Sequence, residues 1–361
     1  MESLRVTRVR HLVQQESFSI ALTAYVLIPP EEVPIDPTRL AKVQEKAEKA
    51  LAKHPDRKEV ESFRTNLEYV INQVMESSWH GGSWLLAVTP TLAEAVFLPF
   101  PLEEDISIGK NLKPYPALYA LYRVQTVFVG VVSENTARWF EGVGGRLFPL
   151  PLQSSVKEAL QQLHKARNQL QHLSIEPSPY NELFSQMARA SYTMALVKYA
   201  DTLREVVHFY LKEEKVPVIL MGEERILKEV SRNVEVQAGL NLISGIPESA
   251  SPEIIQQNVE QYLHHQRAML EQMYYPFLTY SEAQTPQEIW ELLQDSLPSS
   301  PILFVEEGYT LPVQELIGNN KKSLPTKDAI DLLVAAVREK GGEVLFLPAG
   351  KLPQPLMLLL P

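Results

Sequence analysis

Histidines and paired carboxylates are the residues of this chain with the most obvious capacity for chemistry. The eight histidines do not form a ligand set. His264 and His265 are adjacent on a predicted helix and point to different faces, and no third ligand accompanies His164 and His172. The absence of cysteine excludes disulfides, thiolate zinc sites and a cysteine nucleophile. We therefore expect neither a metal site nor a cofactor.

The carboxylates do not predict a hydrolytic site either. A two-metal nuclease needs carboxylates on its central strands, and the predicted strands at 126–133 and 216–221 contain none. The sequence has no Gly-x-Ser-x-Gly elbow and no phosphate loop, and Gly142-x-Gly144-Gly145 lies in a predicted hairpin turn. Adjacent carboxylates fall at predicted element ends, where a solvated surface is expected: Glu103-Glu104, Glu213-Glu214 and Glu306-Glu307. We expect no catalytic residue.

One stretch of the chain could bind an anion. The net charge is −10, which disfavours indiscriminate binding to nucleic acid, so any RNA contact must be local. Between Glu158 and Glu176 there is no carboxylate. The candidate RNA-binding or ribosome-binding residues in and beside this stretch are Lys157, His164, Lys165, Arg167, Gln169 and His172. An equally weighted alternative is a solvated helix face, and Arg5, Arg8 and Arg10 form a rival basic patch.

The elements that position these residues are predicted to form several modules. At 361 residues, with 45% hydrophobic and 22% charged residues, the chain has ordinary globular composition and enough length for two or three domains. An apolar strand at 20–28 precedes two helices, at 37–54 and 57–76, for which Asp36 and Asp56 are the predicted N-caps. Strands are predicted at 84–89, 94–98 and 105–108.

A second module begins at Thr126, where the strand pattern restarts. Strands at 126–133, 137–141 and 146–150 form an antiparallel meander. Helices at 155–170 and 180–212 follow, joined by a proline-containing loop at 174–179, and then a strand, helix, strand and helix to residue 273. The second of these helices carries an apolar stripe at helical spacing, which predicts a core-facing side: Leu183, Met187, Ala190, Met194 and Val197.

Beyond a polar linker at 281–286, helices and strands alternate, which predicts a small α/β/α sandwich. Gly341-Gly342 is a typical C-terminal cap for the helix predicted at 326–340. The fold class is therefore mixed α/β (α+β) in three modules, at 1–123, 124–280 and 281–361. The longest apolar stretch, at 20–28, is too short for a bilayer span, and Arg5 to Arg10 are not followed by a signal-like apolar region. We expect a soluble, cytoplasmic protein with no membrane contact.

The order of these elements resembles the archaeo-eukaryotic class I translation release factors and their Pelota-like relatives. It resembles more closely their bacterial homologues, discussed as ribosome hibernation or rescue factors. Residues 24–30 with 84–89 resemble the N-terminal domain of the family. Residues 126–141 resemble the opening hairpin of its RNase H-like central domain. Residues 328–337 with 341–347 resemble its C-terminal domain, which is shared with kink-turn-binding ribosomal proteins.

Two motifs of the family are absent. The region that matches its Gly-Gly-Gln loop, about 164–181, contains no such tripeptide, and Pro55-Asp56-Arg57-Lys58 stands where the stop-codon-reading Asn-Ile-Lys-Ser motif is expected. The resemblance therefore implies a ribosome-associated protein that binds ribosomal or transfer RNA in rescue, hibernation or quality control, without peptidyl-tRNA hydrolysis. Two alternatives stay open. One is an adaptor that binds a protein through the acidic C-terminal module, and the other is an RNA-directed or peptidyl-tRNA-directed hydrolase with an unrecognised site.

Overall fold

A computed structural model describes residues 3–15, 17–31, 35–173, 181–232, 239–280, 284–294, 301–317 and 328–360 of the chain. Within these ranges the protein is a mixed α/β chain built on three sheets, which confirms the predicted class. It divides into two compact units, Met1–Leu4 with Thr126–His264, and Arg5–Gln125 with His265–Pro361. The predicted module boundaries, near 120–125 and 279–285, stay predictions.

The first sheet is four-stranded and antiparallel, in the order β3-β2-β1-β4. Its strands are β1 (Ala21–Ile28), β2 (Gly82–Val88), β3 (Ala93–Leu98) and β4 (Asp105–Gly109). Its helices are α1 (Arg5–Val13), α2 (Pro37–Leu51), α3 (Arg57–Met75) and α4 (Tyr115–Arg123). Burial of Phe63, Leu67 and Val70 gives α3 one apolar face against the sheet. Sequence reasoning found the strands and the helical hairpin but missed α1 and α4.

Both predicted helix caps are present. The Asp36 carboxylate accepts from the amide of Thr38 at 2.9 Å. The Asp56 carboxylate accepts from the amides of Lys58 and Glu59 at 2.8 and 3.3 Å. An N-cap side chain of this kind satisfies amides that have no partner within the helix.

The second sheet is five-stranded, in the order β7-β6-β5-β8-β9. The predicted meander is confirmed, and β8 and β9 extend it in parallel with β5. Its strands are β5 (Thr126–Val132), β6 (Ala137–Val143), β7 (Arg146–Leu150), β8 (Val218–Gly222) and β9 (Leu240–Ser244). Its helices are α5 (Ser154–Leu173), α6 (Asn181–Lys212), α7 (Glu224–Ser231) and α8 (Pro252–Tyr280). The loop predicted at 174–179 lies outside the described residues.

Close packing fixes the centre of this second sheet. The Phe128 ring stacks on Tyr210 with centroids 3.8 Å apart. A Cβ added at Gly130 would lie 2.5 Å from the Trp139 ring and 2.6 Å from a Leu220 methyl group. Since this is closer than carbon atoms approach without strain, the strand needs glycine at this position.

The third sheet has three strands, in the order β11-β10-β12, with β11 parallel and β12 antiparallel to β10. Its elements are α9 (Pro286–Gln294), β10 (Ile302–Glu306), α10 (Val313–Ile317), α11 (Ala329–Glu339), β11 (Glu343–Leu347) and β12 (Leu356–Leu359). Gly341 has φ +73° and ends α11 as predicted, and the amide of Gly342 donates to the carbonyl of Val337 at 2.9 Å. No helix in the described part of the chain has the length and hydropathy needed to cross a bilayer.

Candidate nucleic-acid interface

The six candidate residues predicted from sequence all lie on α5, but they divide between two sides of it. The helix buries Val156, Leu163 and Ala166 in the core and packs along α6. The opposite side carries the exposed candidates Lys157, Lys165, Gln169 and His172. Past Glu158 this exposed side has no carboxylate up to the end of the helix. We call Lys157, Lys165, Gln169 and His172 the α5 polar face.

Lys157 and Lys165 are available to a partner. Neither forms an ion pair with any described residue of the chain. They are eight positions apart, which is about 12 Å along a helix and about 80° around it, and both are exposed. The two ammonium groups could therefore neutralise phosphates of the same nucleic-acid strand.

Arg167 instead faces the turn between β5 and β6, and both Arg167 and His164 are partly buried. Arg167 donates from Nη1 to Oδ1 of Asn135 at 2.5 Å. Asn135 in turn donates from Nδ2 to the Glu248 carboxylate at 2.8 Å, and Ser133 Oγ donates to the same oxygen at 2.7 Å. These hydrogen bonds, from Ser133 first, and the nearby charges of Arg167 and His164 lower the pKa of Glu248. Arg167, one of the six candidate residues, therefore helps to hold this turn in place, whereas the buried Nε2 of His164 has no hydrogen-bond partner among the described residues.

The same turn is held from its other side through Glu134. The Tyr192 hydroxyl donates to Glu134 Oε1 at 2.5 Å, and Arg225 Nη1 lies 3.4 Å from that oxygen. The Arg225 guanidinium also lies over the Tyr192 ring, 4.9 Å from its centroid. The backbone amide of Glu134 donates to the Glu223 carboxylate at 3.0 Å. The carboxylates at this edge of the sheet thus accept hydrogen bonds from the protein itself.

The described residues contain no group of three or more His, Asp or Glu side chains arranged to hold a metal ion. At the β5–β6 turn, Ser133 and Asn135 donate to one oxygen of Glu248, and Tyr192 donates to one oxygen of Glu134. The arrangement is suited to fixing the conformation of the turn.

The predicted apolar stripe of α6 is on the wrong face for a core. Leu183, Met187 and Met194 are 65%, 61% and 73% exposed, and Val197 is 40% exposed. The core side of the helix is formed by Ala188, Tyr192, Leu196, Tyr199 and Leu203. Helical spacing could not distinguish the two faces because α6 has apolar residues on both. The larger tyrosine and leucine side chains pack inward.

A second group of exposed basic residues lies at the tip of the α2–α3 hairpin. Sequence reasoning noted this tip only because the Asn-Ile-Lys-Ser motif is absent from it. Lys53, Arg57 and Lys58 are exposed there, and none has an ion-pair partner in the described ranges. Asp56, the one carboxylate between them, is engaged as the N-cap of α3. The excess of cations over carboxylates in residues 53–58 could have indicated this basic group from the sequence alone.

The rival patch at Arg5, Arg8 and Arg10 is engaged within the fold. Arg5 donates to the carbonyl of Phe97 at 2.7 Å. Arg8 pairs with Glu94 at 2.5 Å, and Arg10 donates to the Tyr122 hydroxyl at 3.1 Å. These arginines dock α1 on β3 and α4 and are poor candidates for binding a partner.

Several acidic residues of the C-terminal module are also engaged within their own unit. Asp328 and Asp331 both accept hydrogen bonds from Arg123. Asp328 also caps α11 by accepting from the amide of Ile330 at 3.0 Å. Glu306 accepts from the amide of Gly350 at 2.8 Å. The side chain of Glu315 lies outside the described residues. The acidic surface available to a protein partner is smaller than the sequence suggested.

Comparisons with known proteins do not assign the chain to a family. No family model matches it, and neither does any curated protein. Similar solved structures include the archaeal translation termination factor aRF1, with 11% identity over 96% of this chain and 91% of that one, at a TM-score of 0.25. Pelota from Archaeoglobus fulgidus has 12% identity over 73% of each chain, at a TM-score of 0.23. Pelota from Thermoplasma acidophilum has 10% identity over 76% of each chain, at a TM-score of 0.22. At these values the superpositions assign no activity to this chain.

Proposed function

We propose that this chain is a ribosome-associated RNA-binding protein that uses the α5 polar face as an RNA contact. The observation that carries the proposal is the pair of exposed lysines, Lys157 and Lys165, without ion-pair partners among the described residues. A chain of net charge −10 repels RNA at long range, so exposed lysines on a largely carboxylate-free face favour local contact with phosphate.

The ribosome is proposed as the source of that RNA because of the sequence resemblance to release factors at 24–30, 84–89 and 126–141. The strand order of the five-stranded sheet suits the RNase H-like central domain that this resemblance implies. In the proposed role the protein acts in rescue, hibernation or quality control of ribosomes. The basic hairpin tip at Lys53, Arg57 and Lys58 supports an anionic partner independently of α5.

The proposed role excludes release of the nascent peptide. The chain has no Gly-Gly-Gln tripeptide, and His164 is partly buried and is not part of the exposed α5 polar face. Purified protein should liberate no peptide from ribosome-bound peptidyl-tRNA above background. Turnover above background that disappears on changing His164 or Gln169 would overturn this part of the proposal.

Co-sedimentation with purified ribosomes across a salt series tests the RNA contact. Lys157→Glu with Lys165→Glu should weaken binding and make its salt dependence shallower, by about one unit of slope for each phosphate that is no longer neutralised. Lys110→Glu with Lys228→Glu makes the same change in net charge at exposed positions elsewhere and should have a smaller effect. If both double variants pellet with ribosomes as well as the parent at every salt concentration, the α5 polar face is not the contact.

A further inference from the structure

The exposed stripe of α6 has a regular apolar pattern. Leu183, Met187, Ala190, Met194 and Val197 follow each other at intervals of four, three, four and three residues. This spacing places them on one side of the helix, opposite the buried side, over about 21 Å of its length. Phe184, 52% exposed, lies beside them. A contiguous exposed apolar surface of this kind is typical of an interaction site.

The charged residues of α6 alongside the stripe have one sign, and its carboxylates lie only at or beyond the two ends of the stripe. Between Glu182 and Asp201, α6 contains no carboxylate, while Arg189 and Lys198 are exposed on the two flanks of the stripe. Neither cation is ion-paired with a carboxylate of the described residues. A partner suited to this surface therefore combines apolar side chains with carboxylates.

We propose that the α6 stripe is a docking site for an acidic amphipathic helix of another protein. Such a helix would place leucine-like side chains between those of α6 at coiled-coil spacing and carboxylates opposite Arg189 and Lys198. This contact is separate from the proposed RNA contact of the α5 polar face.

Two other occupants fit the surface less well. A second copy of this chain offers the same apolar stripe, but the charges alongside it are again Arg189 and Lys198, and only Glu182 and Asp201, at the ends of the stripe, could pair with them. RNA would engage the two cations but would leave side chains such as Met194, 73% exposed, against phosphate and sugar. Burial of methionine and leucine side chains favours a protein partner.

The test measures binding of fluorescent peptides to the full chain by anisotropy. The probe is a peptide of about four helical turns with leucine at the a and d positions and glutamate at e and g. A matched peptide carries lysine at e and g. The proposal expects the glutamate peptide to bind at least tenfold more tightly than the lysine peptide. It also expects Arg189→Glu with Lys198→Glu to reverse that preference.

The apolar contribution is tested by Leu183→Gln, Met187→Gln and Met194→Gln combined. This variant changes only exposed side chains. It should bind the glutamate peptide at least tenfold more weakly than the parent does and keep the parental melting temperature. The matched control combines Tyr69→Gln, Ile254→Gln and Met269→Gln, at residues that are 59%, 44% and 42% exposed elsewhere on the chain. The control should bind like the parent.

Several outcomes would overturn the proposal. The peptides could bind equally, neither could bind, or the α6 variant could bind like the parent. Sedimentation equilibrium could instead reveal a dimer that the α6 variant dissociates, which would make a second copy the occupant. Loss of binding to a single-stranded RNA oligonucleotide in the α6 variant, with no peptide binding by the parent, would assign the stripe to RNA. Ribosome pelleting of the α6 variant separates this test from the proposed function, because the α5 polar face is unchanged.

Discussion

Arg123 on α4 donates from Nε to the carboxylate of Asp331 on α11 at 2.7 Å, across a separation of 208 positions in the sequence. Its Nη2 donates to Asp328 at 2.8 Å, so one guanidinium serves two carboxylates. Burial disfavours the charged guanidinium, but the attraction of Asp331 and the hydrogen bonds to both carboxylates outweigh it and raise the pKa of Arg123. This contact ties the first sheet to the third sheet within their shared unit.

Replacing Arg123 by Met should lower the free energy of unfolding by about 1 kcal/mol, because Asp328 and Asp331 lose their shared donor in a half-buried position. Arg64→Met is a matched control, since Arg64 pairs with Glu48 at 2.6 Å but both side chains are about half exposed. Urea unfolding measures both. The prediction is wrong if the Arg123 variant loses no more stability than the Arg64 variant.

The substitution Gly130→Ala should destabilise the five-stranded sheet by about 1–3 kcal/mol, because the new methyl group overlaps Trp139 and Leu220. Gly109→Ala is the control, since nothing lies within 4 Å of a Cβ at that position. Thermal unfolding followed by tryptophan fluorescence compares the two. Equal melting temperatures for the two variants would contradict the packing described for β5.

The substitution Glu248→Gln should make the stability of the protein less dependent on pH in the acid range. The pKa of Glu248 is lowered by hydrogen bonds from Ser133 and Asn135, so its ionised form stabilises the folded state. That contribution is complete above the unfolded pKa of about 4.3 and disappears as the pH falls through the lower folded pKa. The parent should exceed the variant in urea midpoint at pH 7. The difference should shrink as the pH falls below about 4, and a constant difference would contradict this assignment.

The substitution Tyr192→Phe should loosen the β5–β6 turn without disturbing the core. It removes the hydroxyl that donates to Glu134 and leaves Arg225 beside that carboxylate. We expect faster amide hydrogen exchange at residues 133–136 and a decrease of about 1 kcal/mol in stability. Unchanged exchange in the turn would show that the hydrogen bonds with Glu248 and Glu223 are enough to hold it.

The helix ends that depend on neighbouring residues were predicted correctly from the sequence. Asp36 and Asp56 were predicted as helix caps, and both accept amide hydrogen bonds. Gly341 was predicted to end α11, and it has the positive φ that favours glycine. Each of these features depends on residues a few positions apart, so it is visible in a short window of sequence.

Features that depend on distant residues were missed or misplaced. The arginines of α1 dock it through contacts such as that between Arg5 and the carbonyl of Phe97, 92 positions away. Sequence reasoning also missed strand β12. Pro353 and Pro355 precede it, and proline argues against a strand, while its partner β10 lies more than fifty positions earlier. Helix α6 has two apolar sides, and packing against the five-stranded sheet and α5 determines which of them is buried. The spacing of apolar residues along α6 cannot predict which side that is.

Because one unit is built from two separate segments of the chain, its two parts are synthesised at different times. The unit that contains Arg123 and Asp331 is assembled from Arg5–Gln125 and His265–Pro361, with nearly all of the other unit encoded between them. A ribosome delivers residues in sequence, at about 5–20 per second, so the helix that pairs with α4 emerges about 10–40 s after α4 itself. Tyr119, 6% exposed in the finished protein, has the charge of Asp331 near it only once α11 is present. During that interval the face of α4 that α11 will cover lacks this helix as a packing partner.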